Sequence, residues 1–157
     1  MASLITTAIG PQAYEVIRNK IGLILIDELP AQAGYHSDDE LNATVHFERS
    51  SQFGAADCPG VNVSFVSGDY DNHDLLKKDG AYPFNIDVYV KGKSITDDQG
   101  NTTPGDTIAM YRCQKLLGVI SGILSHSVYK RLGFVIDDNN PPFIQNHHIS
   151  SVQIRKP

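Results

Sequence analysis

Three short segments in which apolar and polar residues alternate lie between two stretches of helical periodicity. That order restricts the chain more than any single motif does. A period of two buries one face of a strand and a period of 3.6 buries one stripe of a helix, so the two patterns are not interchangeable. In the first helical stretch Ala13, Ile17, Ile21, Ile24 and Leu25 recur at three- and four-residue spacing, with Val16 and Leu29 widening the stripe. Gly10 and Pro11 stand where such a helix opens, and Glu15 falls in its early part, where the helix dipole favours a carboxylate. Leu29 followed by Pro30 predicts its end, because a residue before proline avoids the helical region. The polar stretch 31–42 then reads as a loop.

The alternating segments follow. Val45 and Phe47 alternate with His46 and Glu48, and Val61, Val63 and Phe65 with Asn62 and Ser64. The longest run sets Tyr82, Phe84, Ile86, Val88 and Val90 against Asn85, Asp87, Tyr89 and Lys91. Residues 50–59 form a connection closed by Pro59 and Gly60. Residues 68–80 are too many for a tight hairpin and suit a long antiparallel ribbon with a mobile tip. Residues 91–106 are expected to be the least structured segment and a mobile functional loop. Asp106 is placed to cap a second helix that carries Ala109, Arg112, Leu116, Val119, Ile120 and Ile123 along one side. Gly118 and Gly122 on that helix would permit close approach of a neighbouring element. Residues 128–132 read as a short helical turn, 137–142 as a break, and 144–154 as a last strand with a bulge. The expectation is one α+β domain over residues 1–157, in the order α-β-β-β-α-β, with a largely antiparallel four-stranded sheet.

Composition narrows the function classes. A chain of 157 residues, 41% hydrophobic and 20% charged, suits one globular domain rather than disorder. A formal charge of −5 argues against a primary nucleic-acid binder, and Lys77, Lys78, Lys91 and Lys93 make only a thin basic patch. Cys58 and Cys113 build neither a disulfide framework nor a metal knuckle, which fits a reducing cytoplasm. The N-terminus shows no secretory signal, and the apolar run 21–26 is too short to cross a bilayer. A soluble protein made inside the cell, without a membrane partner, is expected.

Sites for chemistry are sparse. Residues 69–74 (DYDNHD) resemble a loop for a hard cation, but they lack the sixth-position glycine and terminal glutamate of an EF-hand, and an Asp/Asn-rich turn is the commoner arrangement. His147 and His148 are adjacent, so on a strand they point to opposite faces and do not chelate together. Cys58 precedes a proline in a turn, Cys113 sits in a helix, and neither a nucleophile elbow nor a phosphate-binding loop occurs. Asp38 and Asp39, Asp97 and Asp98, and Asp137 and Asp138 all fall in loops, where solvated charge is the default. No catalytic, cofactor-binding or metal residue is assigned, and no cofactor is expected. The edges of a small sheet expose unpaired backbone groups, and pairing them across subunits in a ring would remove that liability. Tyr89, on the polar side of the longest strand, is a candidate interface anchor or an ordinary cross-strand partner. With the two long loops it gives a candidate interface set of Asp71, His73, Tyr89, Lys93, Asp97 and Asp98.

The segments 12–25 (QAYEVIRNKIGLIL), 59–69 (PGVNVSFVSGD) and 84–91 (FNIDVYVK) resemble small tail and neck proteins of tailed bacteriophages. So do 114–120 (QKLLGVI) and 142–147 (PFIQNH), so the likeness runs over nearly the whole chain. Within that group the element order is similar to tail terminators. The resemblance implies a sheet with both helices on one face and a homo-oligomeric ring, six-membered, at the head-proximal end of the tail. Such a ring ends polymerisation of the tail tube protein, joins the head-side connector and, in a contractile virus, holds the last ring of the tail sheath. Genomic DNA would pass through its lumen without specific binding, which suits a net acidic protein. Other readings stay open: another neck ring such as a head-completion or stopper protein, a metal-dependent enzyme using Asp69, Asp71, His73 and a histidine of the last strand, or a monomeric binding module.

Overall fold

The computed structural model describes residues 8–67, 69–71, 79–134 and 147–151. The first helix, α1, spans Ala13–His36. Its start is fixed by Glu15, whose Oε2 accepts the Gln12 N–H at 2.7 Å, half of a capping box. Its end is a Schellman motif: Ser37 takes a left-handed φ of 49°, its N–H reaches the Gly34 carbonyl, and the Asp38 N–H reaches that of Ala33 at 3.0 Å.

The helix therefore does not stop at Leu29, and the loop expected from residue 31 begins only after His36. Pro30 lies inside α1 on its exposed side. A proline in a helix interior costs ~3 kcal/mol or more through its missing donor and ring clash. Here the carbonyl it strands belongs to Ile26, itself on the solvent side, where a free carbonyl is accessible to solvent. Leu29 and Ala33 on the core-facing side are buried, and a fully buried leucine contributes ~1.5–3 kcal/mol. Tertiary burial carries the helix past its own breaker.

Strands β1 (Thr44–Phe47), β2 (Gly60–Phe65), β3 (Asp69–Asp71), β4 (Asp79–Ala81), β5 (Phe84–Tyr89), β6 (Ile95–Thr96) and β7 (Thr102–Thr103) precede the second helix, α2 (Gly105–Ser125). The central sheet has the order β1-β2-β5. β2 and β5 are antiparallel, from Gly60 opposite Tyr89 to Phe65 opposite Phe84. The ribbon continues in β3 and β4, whose first pair, Asp69 with Ala81, is one residue out of step with the β2–β5 ladder.

The expected largely antiparallel four-stranded sheet is corrected in two ways. β1 runs parallel to β2, because residues 48–59 carry the chain back to the starting end of the sheet, a return that a tight hairpin does not make. Residues 147–151, part of the expected last strand, are not in a strand; the remainder of 144–154 lies outside the described residues. The result is a mixed three-stranded sheet with two short two-stranded ribbons.

Alternation along β2 and β5 sorts the side chains. Val61, Val63, Phe84, Ile86 and Val88 join one cluster with Leu25 and Leu29 of α1 and Leu116 and Ile120 of α2. Both helices therefore cover the same sheet face. They run antiparallel, since Glu28 of α1 meets Tyr129 beyond the end of α2 while Asp38 meets Lys115 and Glu40 meets Arg112. Gly22 is needed where the ring of Phe47 crosses α1, since a Cβ there would lie 2.0 Å from a ring carbon.

Residues 91–106 are not unstructured. They fold into the β6–β7 hairpin, and the Asp97 carboxylate organises its turn by accepting the N–H groups of Gln99 at 3.0 Å and Asn101 at 2.8 Å. Gly92 docks the base of this hairpin on the start of α2, where a Cβ would lie 1.8 Å from the Gly105 carbonyl oxygen. The N-cap of α2 is Pro104 rather than Asp106, which sits in the first turn. Proline brings a fixed extended backbone to the cap position, and Asp106 in the first turn accepts the Thr107 N–H at 2.8 Å and suits the helix dipole.

Candidate functional site

The described members of the candidate interface set lie on two elements, Tyr89 on β5 and Lys93, Asp97 and Asp98 on the segment that carries the β6–β7 hairpin. Asp71 takes its backbone place in β3 opposite Asp79; its side chain and the whole of His73 lie outside the described residues, as does the cation loop read at 69–74. Lys93, Asp97 and Asp98 share the exposed hairpin, where Asp97 is engaged within its own turn. Hydrogen bonds to the Asn101 side chain and to backbone N–H groups hold the Asp97 carboxyl below its usual range. That role is structural.

Tyr89 stands apart, on the sheet face opposite the helices. Its ring stacks on Phe53 at 3.9 Å and 8°, and Phe53 meets His46 edge-on at 5.1 Å. The Arg49 guanidinium lies 4.3 Å from the Phe53 ring centroid and pairs with Asp57 at 2.9 Å. Burial, with Asp87 nearby, pushes the Tyr89 phenol up. The Arg49 hydrogen bond and the Gly54 N–H hold the Asp57 carboxyl down.

Beneath the ring pair Gly60 is obligatory, because a Cβ would lie 2.8 Å from Phe53 and 2.6 Å from the Asp57 carbonyl oxygen. Buried Asn62 completes the assembly: its Oδ1 accepts the Arg49 N–H at 3.0 Å and its Nδ2 donates to the Arg49 carbonyl at 3.2 Å. The side-chain amide thus copies a strand neighbour and clamps the 48–59 crossover to the sheet. Sequence reading missed Arg49, Phe53, Asp57 and Asn62. The alternation marks Asn62 only as a polar-face residue, and for the other three the one available signal was an arginine and an aspartate flanking an aromatic residue.

The helices bound a second feature, a groove of about 560 Å³ whose lining includes Glu28, Gln32, Gln114, Gly118, Gly122 and Tyr129. Tyr129 Oη donates to Glu28 Oε1, and that bond, with burial, raises the phenol's pKa. Gly118 and Gly122 do not mediate a close approach: nothing lies within 4 Å of a Cβ built on either. They face the open groove because α1 packs on Leu116, Ile120 and Ile123 instead.

Reactive groups are few. Burial pushes the Cys113 thiol up, away from the thiolate that nucleophilic chemistry needs. Among the described residues no group of three or more His, Cys, Asp or Glu is placed to hold a metal ion, and no helix is long and apolar enough to cross a membrane.

More distinctive is the outer row of α1. Asn19, Leu23, Ile26 and Pro30 follow one another at helical spacing on the solvent side, with Leu23 51% and Ile26 42% exposed. An ordinary surface helix carries charge along that line. No protein-family model, no curated protein and no solved structure matches this chain.

Proposed function

We propose that this chain is a structural protein of a tailed-bacteriophage virion, a tail terminator. It forms a hexameric ring at the head-proximal end of the tail, stops growth of the tail tube and presents the surface that joins the head-side connector. The sequence resemblance named above supplies the family. The observation that carries the reading is the apolar outer row of α1, Leu23, Ile26 and Pro30, on a helix whose other side already fills the core. A helix apolar on both sides belongs in an assembly, where a neighbour covers the second side. The net charge of −5 is of the sign that lets DNA slide through a lumen without being gripped.

Native mass over a range of protein concentrations, with negative-stain imaging of the largest species, tests the assembly. A tube-length assay with purified tail tube protein tests the function. Closed rings that arrest tube growth are expected, and rings that leave tube length unaltered while joining the portal side would move the protein to another position in the neck. A protein that stays monomeric and does not arrest tube growth overturns the reading.

A further inference from the structure

We infer that copies of this chain join edge to edge, the outer edge of β5 in one copy pairing antiparallel with the outer edge of β1 in the next. The inference rests on the self-association proposed above and specifies its seam.

The hydrogen-bond pattern identifies the open edges. The N–H groups of Thr44 and Glu48 bond to the carbonyls of Pro59 and Val63, so in this parallel ladder alternate residues of β1 face β2 and the backbone groups of Val45 and Phe47 point outward. The Val66 N–H bonds to the Pro83 carbonyl. In the antiparallel register this gives Asn85, Asp87 and Tyr89 to β2 and leaves Phe84, Ile86 and Val88 pointing outward. Among the described residues neither edge has a hydrogen-bonded partner strand. β5 has no internal proline or bulge and only Asp87 as a charge, so it lacks the devices that blunt an edge.

The two edges of one copy match each other. β1 is antiparallel to β5, because each pairs with β2 in opposite senses, so a neighbour that continues the sheet meets β5 in the antiparallel arrangement. In it Val45 and Phe47 lie beside Phe84, Ile86 and Val88 on the helix-covered face. His46 falls opposite Asn85, Asp87 or Tyr89 on the other face, whichever in-phase register is adopted. His46 Nε2 is buried and has no hydrogen-bond partner among the described residues, and each of those three side chains offers it a polar group. Asp87 is in no ion pair among the described residues, and its carboxylate is free to accept a hydrogen bond across the seam. The contact joins different surfaces of the two copies, so repetition about an axis closes a ring.

Amide hydrogen exchange on the full chain, assembled and diluted to monomer, reads the seam directly. The Val45, Phe47, Phe84, Ile86 and Val88 amides are expected to exchange about tenfold or more slowly in the assembly, with amides already bonded to β2 little altered. Asp87→Lys is expected to weaken assembly roughly tenfold while leaving the monomer's melting unchanged, since Asp87 makes no ion pair among the described residues. Closed rings with these amides unprotected and Asp87→Lys without effect would overturn the seam and leave the ring reading standing. A protein that is monomeric at all concentrations and does not arrest tube growth would overturn both.

Discussion

The two faces of the central sheet are held by different physics. On the helix side Val61 and Val63 are fully buried against Leu25, Leu29 and Leu116, and the stabilisation is removal of apolar area from water. Among the described residues no α-helix covers the other face. The 48–59 crossover covers it, held by the Asn62 amide on the Arg49 backbone, the Arg49–Asp57 pair and the Phe53–Tyr89 stack. Burial is non-directional and tolerates modest repacking, whereas the crossover depends on a few placed groups and is expected to loosen when one is removed.

Breaking the helix side should have the largest effect. Leu25→Ala leaves a cavity at a fully enclosed point of the core and should cost ~2–5 kcal/mol in denaturant unfolding. Gly22→Ala should cost ~1–3 kcal/mol, because the half-exposed Phe47 ring has to swing off α1. Its unfolding midpoint should fall without a change in slope.

On the crossover side Asn62→Ala orphans the Arg49 N–H and carbonyl and should cost ~1–3 kcal/mol. The amides of 48–59 should then exchange faster than those of the helices, which would show the two faces coming apart separately. A double-mutant cycle of Phe53→Leu and Tyr89→Leu should return a coupling of ~0.5–1.5 kcal/mol. A coupling near zero would reduce the stack to simple coverage.

Acid gives the smallest effect. Asp57 has its pKa lowered from 3.8 in the folded state by Arg49 and the Gly54 N–H. Its contribution is therefore complete above that unfolded value and is lost as pH falls through the folded one. Tyrosine fluorescence should report loosening of the crossover in that range in the native protein, and Asp57→Asn should remove the transition.

How much was legible follows from the same division. The alternation of Val61, Val63, Phe84, Ile86 and Val88 placed the correct residues on the covered face, and the stripe Ile17, Ile21, Ile24 and Leu25 placed the correct side of α1 inward. Asp97, read as a loop carboxylate free for an interface, organises a hairpin turn, because its bonds depend on where Gln99 and Asn101 return in space. The parallel sense of β1 escaped detection because alternation is identical in parallel and antiparallel strands. Only the hydrogen bonds to Pro59 and Val63 distinguish them.

The sequence by itself determined which side chains leave water, since periodicity and apolarity are properties of neighbouring residues. It also determined the order helix, strands, helix. Tertiary structure alone decided that α1 runs through Pro30, that β1 lies parallel to β2, and that Asn62 turns a polar position in a strand into the anchor of a crossover. Each of those depends on a partner distant in sequence. Burial of Leu29 and Ala33 outweighs a local breaker, and the geometry of one amide against one backbone segment exists only once the chain has folded.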